Sequence, residues 1–272
     1  MRKLLLSASV CALISGITSC SHFGGEKFEL ATYAAADSVS TPDDGIARAA
    51  ISIESPIHNT VVADSVNAWI LQSVNAICSS VGINLPAADK VDQTLADNFV
   101  KTVMTDFRSQ LSDPEWAPIG LDMSVAFTCD TVTDRFASFL NATYTYMGGA
   151  HGSMLYYGRT INLKDASWIT WDMIPRDKDE AFLKLVLENL ASQYFESSEA
   201  EAVGQLFLPD SDTLPYPVAD PLFSADGLQV IYQQYEIGPY AIGSPSCVIP
   251  YDLLRDFIRP ELADLIPAGE EE

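Results

Sequence analysis

The sequence predicts an α+β protein. It reads as a two-helix plus antiparallel-meander N-terminal half, followed by a smaller α/β C-terminal half. Two helical stripes lie close together, and directly after them the apolar period drops from four residues to two. Glycine and proline breaks then divide the rest of the chain into shorter segments.

The first stripe, Val66, Ile70, Val74, Ile77 and Val81, predicts a helix over 61–81, stopped by Gly82. The second, Leu95, Phe99, Val103, Phe107 and Leu111, predicts a helix over 92–112, with Asp92 as its N-cap and Pro114 beyond its end. From Leu121 to Cys129 apolar residues alternate with Asp122, Ser124, Ala126 and Thr128, the pattern of a half-buried strand. Phe136–Met147 and Met154–Leu163 continue as strands around the turn Gly148-Gly149-Ala150-His151-Gly152, which makes a meander closed by a short strand at Ser167–Trp171. Upstream, residues 28–32 alternate and predict an edge strand pairing with 46–54 across the Ser40–Gly45 turn cluster.

The second half starts near Asp172. Asp177–Glu180 reads as a capping box ahead of the stripe Phe182, Val186, Leu190 and Tyr194. An irregular stretch follows from Pro209 to Pro221, then strands at Leu228–Tyr235 and Ser246–Ile249 and a short helix at Asp252–Ile258. The expected organisation is a signal peptide at 1–19, a lipidated tether at 20–45, subdomains at 46–171 and 172–260, and an acidic tail at 261–272.

Residues 1–20 read as a bacterial lipoprotein leader. Arg2 and Lys3 precede an apolar stretch too short to span a bilayer, and Ile17-Thr18-Ser19-Cys20 ends it, so Cys20 is the expected lipidation site and membrane anchor. Ser21 is not followed by an acidic cluster, which favours an outer-membrane lipoprotein facing the periplasm over surface export. Without the leader, 13 basic residues face 37 acidic ones, a balance of −24. That field disfavours nucleic acid and anionic surfaces and favours cationic partners. Of the remaining cysteines, Cys78, Cys129 and Cys247 allow at most one bridge, and Cys129 reads as a thiol on a buried strand face.

Chemistry-bearing motifs are sparse. His22, His58 and His151 do not cluster in sequence, and no HExxH, paired-Cys, GxSxG, Walker A or GxGxxG pattern occurs. Neither a metal nor a cofactor is expected, and no catalytic residue is assigned. A carboxylate pair of the glycosidase kind is a matter of spatial arrangement that 37 acids leave open. The turn residues Gly148, Gly149, His151 and Gly152 read as a structural connection with His151 as a possible contact. Trp116, Trp168 and Trp171 are candidates for stacking on sugar rings, against the commoner reading of partly buried core.

Two segments carry a resemblance. Tyr144-Thr145-Tyr146-Met147-Gly148-Gly149-Ala150-His151-Gly152 resembles the Gly-Gly-Ala-His-Gly signature of the RsiV-like envelope domain family. So does 227–243, which contains Tyr235-Glu236-Ile237-Gly238-Pro239-Tyr240-Ala241, with Ile249–Leu254 after it. The likeness covers roughly Ile46 to Ile258. It implies a mixed α and β fold in a module found in lysozyme-sensing anti-sigma factors, ahead of some peptidoglycan deacetylase domains, and as free-standing lipoproteins. The anti-sigma segment and the deacetylase domain are missing here, so neither activity carries over. The resulting expectation is a non-catalytic envelope binding protein whose partner is lysozyme or another cationic muramidase. A peptidoglycan- or polysaccharide-binding module and an unrecognised wall hydrolase are the alternatives.

Overall fold

The computed structural model describes residues 29–40, 45–57, 60–113, 120–199 and 214–266. Six strands form the main sheet in sequential order: β1 (Leu30–Ser40), β2 (Ile46–Pro56), β3 (Leu121–Val132), β4 (Phe136–Tyr146), β5 (Ser153–Asn162) and β6 (Trp168–Ile169). The chain is α+β, as its patterning predicts. β1 and β2 pair antiparallel over their full length, from Leu30 opposite Pro56 to Ser40 opposite Ile46. β2 and β3 run parallel, with Ile51 opposite Val125 and Ile53 opposite Phe127. A parallel pair needs a long crossover, and the two helices supply it.

These helices are α1 (Val61–Ser80) and α2 (Gln93–Leu111). Thr60 caps α1 by accepting from Ala63 N–H at 3.1 Å. Asp92 caps α2 by accepting from Leu95 N–H at 3.1 Å. Gly82 ends α1 at φ +80°, a backbone that glycine adopts without strain. Both helices press their stripes onto one sheet face. Val66, Ile70, Val74, Phe99, Val103 and Phe107 bury themselves there against Ile53, Met123, Phe127 and Phe139. Ile77, Val81 and Leu111, at the ends of the stripes, are only half-buried.

The second layer holds α3 (Asp179–Gln193) and a small antiparallel sheet of β7 (Leu222–Phe223), β8 (Gly227–Ile231) and β9 (Ser246–Pro250). Phe182, Val186 and Leu190 of α3 form its core with Phe223, Tyr232 and Ile249. Phe136 of β4 and Ile169 of β6 join this core from the main sheet. Because strand side chains alternate, β4 serves both cores: Ala137 and Phe139 face the helices while Phe136 faces the second layer. Gly158 of β5 lies at the junction, where an added Cβ would sit 2.8 Å from Leu222 Cβ.

Several expectations change in detail. No side chain of 177–180 caps α3. A 3-10 turn at Arg176–Lys178 leads into the helix, and Asp179 instead accepts from Tyr216 Oη at 2.7 Å. Tyr194 is not in the buried stripe but 38% exposed, donating from its hydroxyl to Ile242 C=O. The strand expected through Tyr235 ends at Ile231, where Tyr232 N–H turns to Pro245 C=O. Cys129 is half-buried because β3 loses its register between Cys129 and Thr131. Cys78 and Cys247 are buried free thiols in different cores, and burial pushes each up to about 12.

Candidate functional site

At one end of the main sheet the β4–β5 turn meets the segment that follows β8. Gly148 and Gly149 take φ values of +85° and +99°, which reverses the chain and carries His151 outward. A Cβ at Gly152 would fall 2.3 Å from the Tyr144 hydroxyl, so any other residue there would push that ring aside. Burial raises the pKa of that Tyr144 hydroxyl, with a smaller contribution from Asp122. Tyr146 Oη donates to Gly149 C=O at 3.0 Å and braces the turn from the strand below.

His151 packs against two tyrosines from the far segment. Its ring stacks on Tyr240 at 3.8 Å between centroids and 21° between planes. Its Nε2 lies 3.2 Å from Tyr235 Oη, and its Nδ1 lies 3.0 Å from the Gly152 carbonyl. A carbonyl only accepts, so Nδ1 donates; in the neutral ring Nε2 then accepts from the Tyr235 hydroxyl. Tyr240 Oη also donates to Gly152 C=O at 3.1 Å, tying both segments to one carbonyl.

The far segment is held in register by side chains acting on backbone. Gln233 places its carboxamide against Tyr156 of β5, accepting from N–H at 2.8 Å and donating to C=O at 2.5 Å. Gln234 accepts from Met154 N–H at 2.9 Å. The Glu236 carboxylate accepts from Gln233 N–H at 2.7 Å and from Val218 N–H at 2.6 Å. Between these anchors Tyr235 adopts φ +67°, a left-handed backbone that costs a non-glycine residue roughly 1–2 kcal/mol. The residue is 61% exposed. The arrangement is a partly exposed aromatic cluster in which His151 packs against both tyrosines. Among the described residues, the His151 contacts are two tyrosines and a carbonyl.

Sequence patterning placed His151 and its glycines in the turn but did not join them to Tyr235 and Tyr240. The Tyr-Glu-Ile-Gly-Pro-Tyr stretch was the available signal, and only tertiary contact gives it meaning. The candidate tryptophans lie elsewhere. Trp168 is half-buried, with the Arg159 guanidinium 4.3 Å from its ring centroid and Trp69 6.0 Å away. Trp171 donates to Pro217 and Ala219 carbonyls and packs on Tyr216 and Phe182. Both rings are thus engaged within the fold and remote from the His151 cluster in its contacts. Trp116 and Cys20 lie outside the described residues, as do His22 and His58. Among the described residues, no three His, Cys, Asp or Glu side chains come together to hold a metal ion, and no helix is long and apolar enough to cross a membrane.

Comparison with known proteins gives this arrangement a context. Residues 175–252 match the DUF3298 family model, described as a protein of unknown function. The DUF3298 span contains Gln233, Tyr235 and Tyr240, while His151 enters from outside it. A solved DUF3298 family member from Bacteroides fragilis NCTC 9343 is similar with a TM-score of 0.66 and 16% identity, covering 87% of this chain and 96% of that one. A DUF3298 family protein from Pseudomonas aeruginosa PAO1 is similar with a TM-score of 0.57 and 16% identity, covering 86% and 96%. At that identity the likeness is one of fold, and it extends well beyond the DUF3298 span. No curated protein matches the chain.

Proposed function

We propose that this chain is a non-catalytic binding protein of the cell envelope, anchored by lipid on Cys20, whose partner is a cationic protein of the muramidase class. The observation that carries this reading is the pair of exposed rings, His151 and Tyr235, packed on the half-buried Tyr240 of a chain with a net charge of −22. Tyrosine supplies large contact area at low entropic cost, and a ring already held by strain and hydrogen bonds loses little freedom on binding. The acidic field brings a basic partner in quickly and sets its orientation. The resemblance to the RsiV-like envelope domain family points to lysozyme as the first partner to test.

Titration calorimetry of the purified chain with lysozyme tests this at low and high salt. The reading expects heat at low salt, weaker binding as salt rises, and weaker binding again in Tyr235→Ala. No heat at low salt, or binding indifferent to Tyr235, removes the muramidase partner. The exposed Tyr235 ring would also suit a sugar face, so a pull-down on insoluble cell wall separates a glycan partner from a protein one. Mass spectrometry of the native N-terminus tests the anchor: an unacylated Cys20 removes it.

A further inference from the structure

Two glutamines close sheet edges in the same way. At the end of α3, Gln193 accepts from Val248 N–H and donates to Val248 C=O, both at 2.9 Å, on the outer side of β9. Gln233 makes the same two bonds to Tyr156 on the outer side of β5. One carboxamide bonded to both groups of one residue reproduces what an opposing residue does in an antiparallel hydrogen-bonded pair. Gln193 is oriented by Asn189 one turn back, to whose Oδ1 it donates at 2.8 Å. The neighbouring positions are blunted too. Pro250 has no N–H to offer, and Met154 N–H on β5 is taken by Gln234.

We infer that the β9 edge is a self-association surface held shut by Gln193, and that the partner it fits is β9 of a second copy of this chain. A two-fold axis through Val248 places that residue opposite itself, and the two bonds across the axis are the two that Gln193 now makes. Ser246 and Pro250 then face each other, and because Pro250 has no N–H each of these end pairs makes one bond where the central Val248 pair makes two. Gln233 differs in being buried at 6% exposure, whereas Gln193 is exposed and can swing away. The net charge of −22 opposes the encounter, so the edge is guarded by local plugging and by long-range repulsion together.

Sedimentation velocity of the purified chain and of Gln193→Ala at high salt, across a concentration series, tests this. The parent stays monomeric, Gln193→Ala dimerises with concentration, and adding Val248→Pro, whose lost N–H faces away from β8, restores the monomer. A folded Gln193→Ala that stays monomeric overturns the inference, as does a dimer that survives in a folded Val248→Pro background. Amide exchange reads the edge without a second substitution. In Gln193→Ala the Val248 amide exchanges roughly tenfold faster when dilute and regains protection when concentrated. Exchange that stays slow when dilute, or fails to recover, overturns the inference.

Discussion

Tyr235 holds a left-handed backbone although the residue is largely exposed. Packing does not repay that strain, so a purely structural residue here would be replaced by glycine at little cost. Tyr235→Gly is therefore expected to leave stability unchanged or raise it by up to about 1 kcal/mol in denaturant unfolding, while weakening partner binding. A large stability loss would show that the ring is part of the fold. Asp92 makes the opposite case, a residue that serves its helix alone. Its pKa is lowered chiefly by the hydrogen bond from Lys90; desolvation opposes this, and the cap to Leu95 N–H adds a smaller lowering. A carboxyl depressed in the folded state stabilises above its unfolded value and loses that contribution as pH falls through the folded one. Asp92→Ala should thus cost about 1 kcal/mol at neutral pH and progressively less in acid, read as melting temperature against pH.

At the scale of elements, the junction between β5 and the second layer is the tightest fit. Gly158 meets Leu222, and two residues along the strand, on the same face, Thr160 Oγ1 accepts from Phe223 N–H at 2.9 Å in a buried setting. Gly158→Ala forces Leu222 aside and is expected to destabilise by roughly 1–3 kcal/mol, measured by chemical unfolding. Phe99 on α2, fully buried between the helices and the sheet, sets the scale for the first core, where truncation to alanine costs about 3–5 kcal/mol. If the two cores melt separately, Phe99→Ala will shift one transition and Gly158→Ala the other; a single shared transition is expected, because β4 contributes side chains to both.

At the scale of the whole molecule, charge and burial act together. Cys78 and Cys247 lie inside separate cores with their thiols pushed up to about 12, so neither presents thiolate at neutral pH. A thiol reagent should label both only after unfolding, and mass spectrometry of labelled peptides checks this. The acidic surface acts at longer range, favouring a basic partner and disfavouring a second copy of the chain. Salt therefore has opposite effects on these two associations, weakening the first and permitting the second once Gln193 is removed.

Periodicity determined α1, α2 and β3, because each has a long stripe of apolar residues whose spacing admits one secondary structure, while aromatic, β-rich composition around a glycine turn gave β4 and β5. The Asp92 cap and the Gly82 stop are equally local, and both stand where the sequence places them. The capping box failed because a 3-10 turn at Arg176–Lys178 takes in Asp177, so the helix starts at Asp179 with Lys178, not Asp177, at its N-cap. The β8 strand stopped short because Gln233 and Gln234 turned to the backbone of β5 instead of pairing along β9. The same long-range contacts bring Tyr235 and Tyr240 onto His151, 84 and 89 positions along the chain. Local spacing fixes which residues share a face, but a site assembled across two layers exists only once both cores have closed on β4.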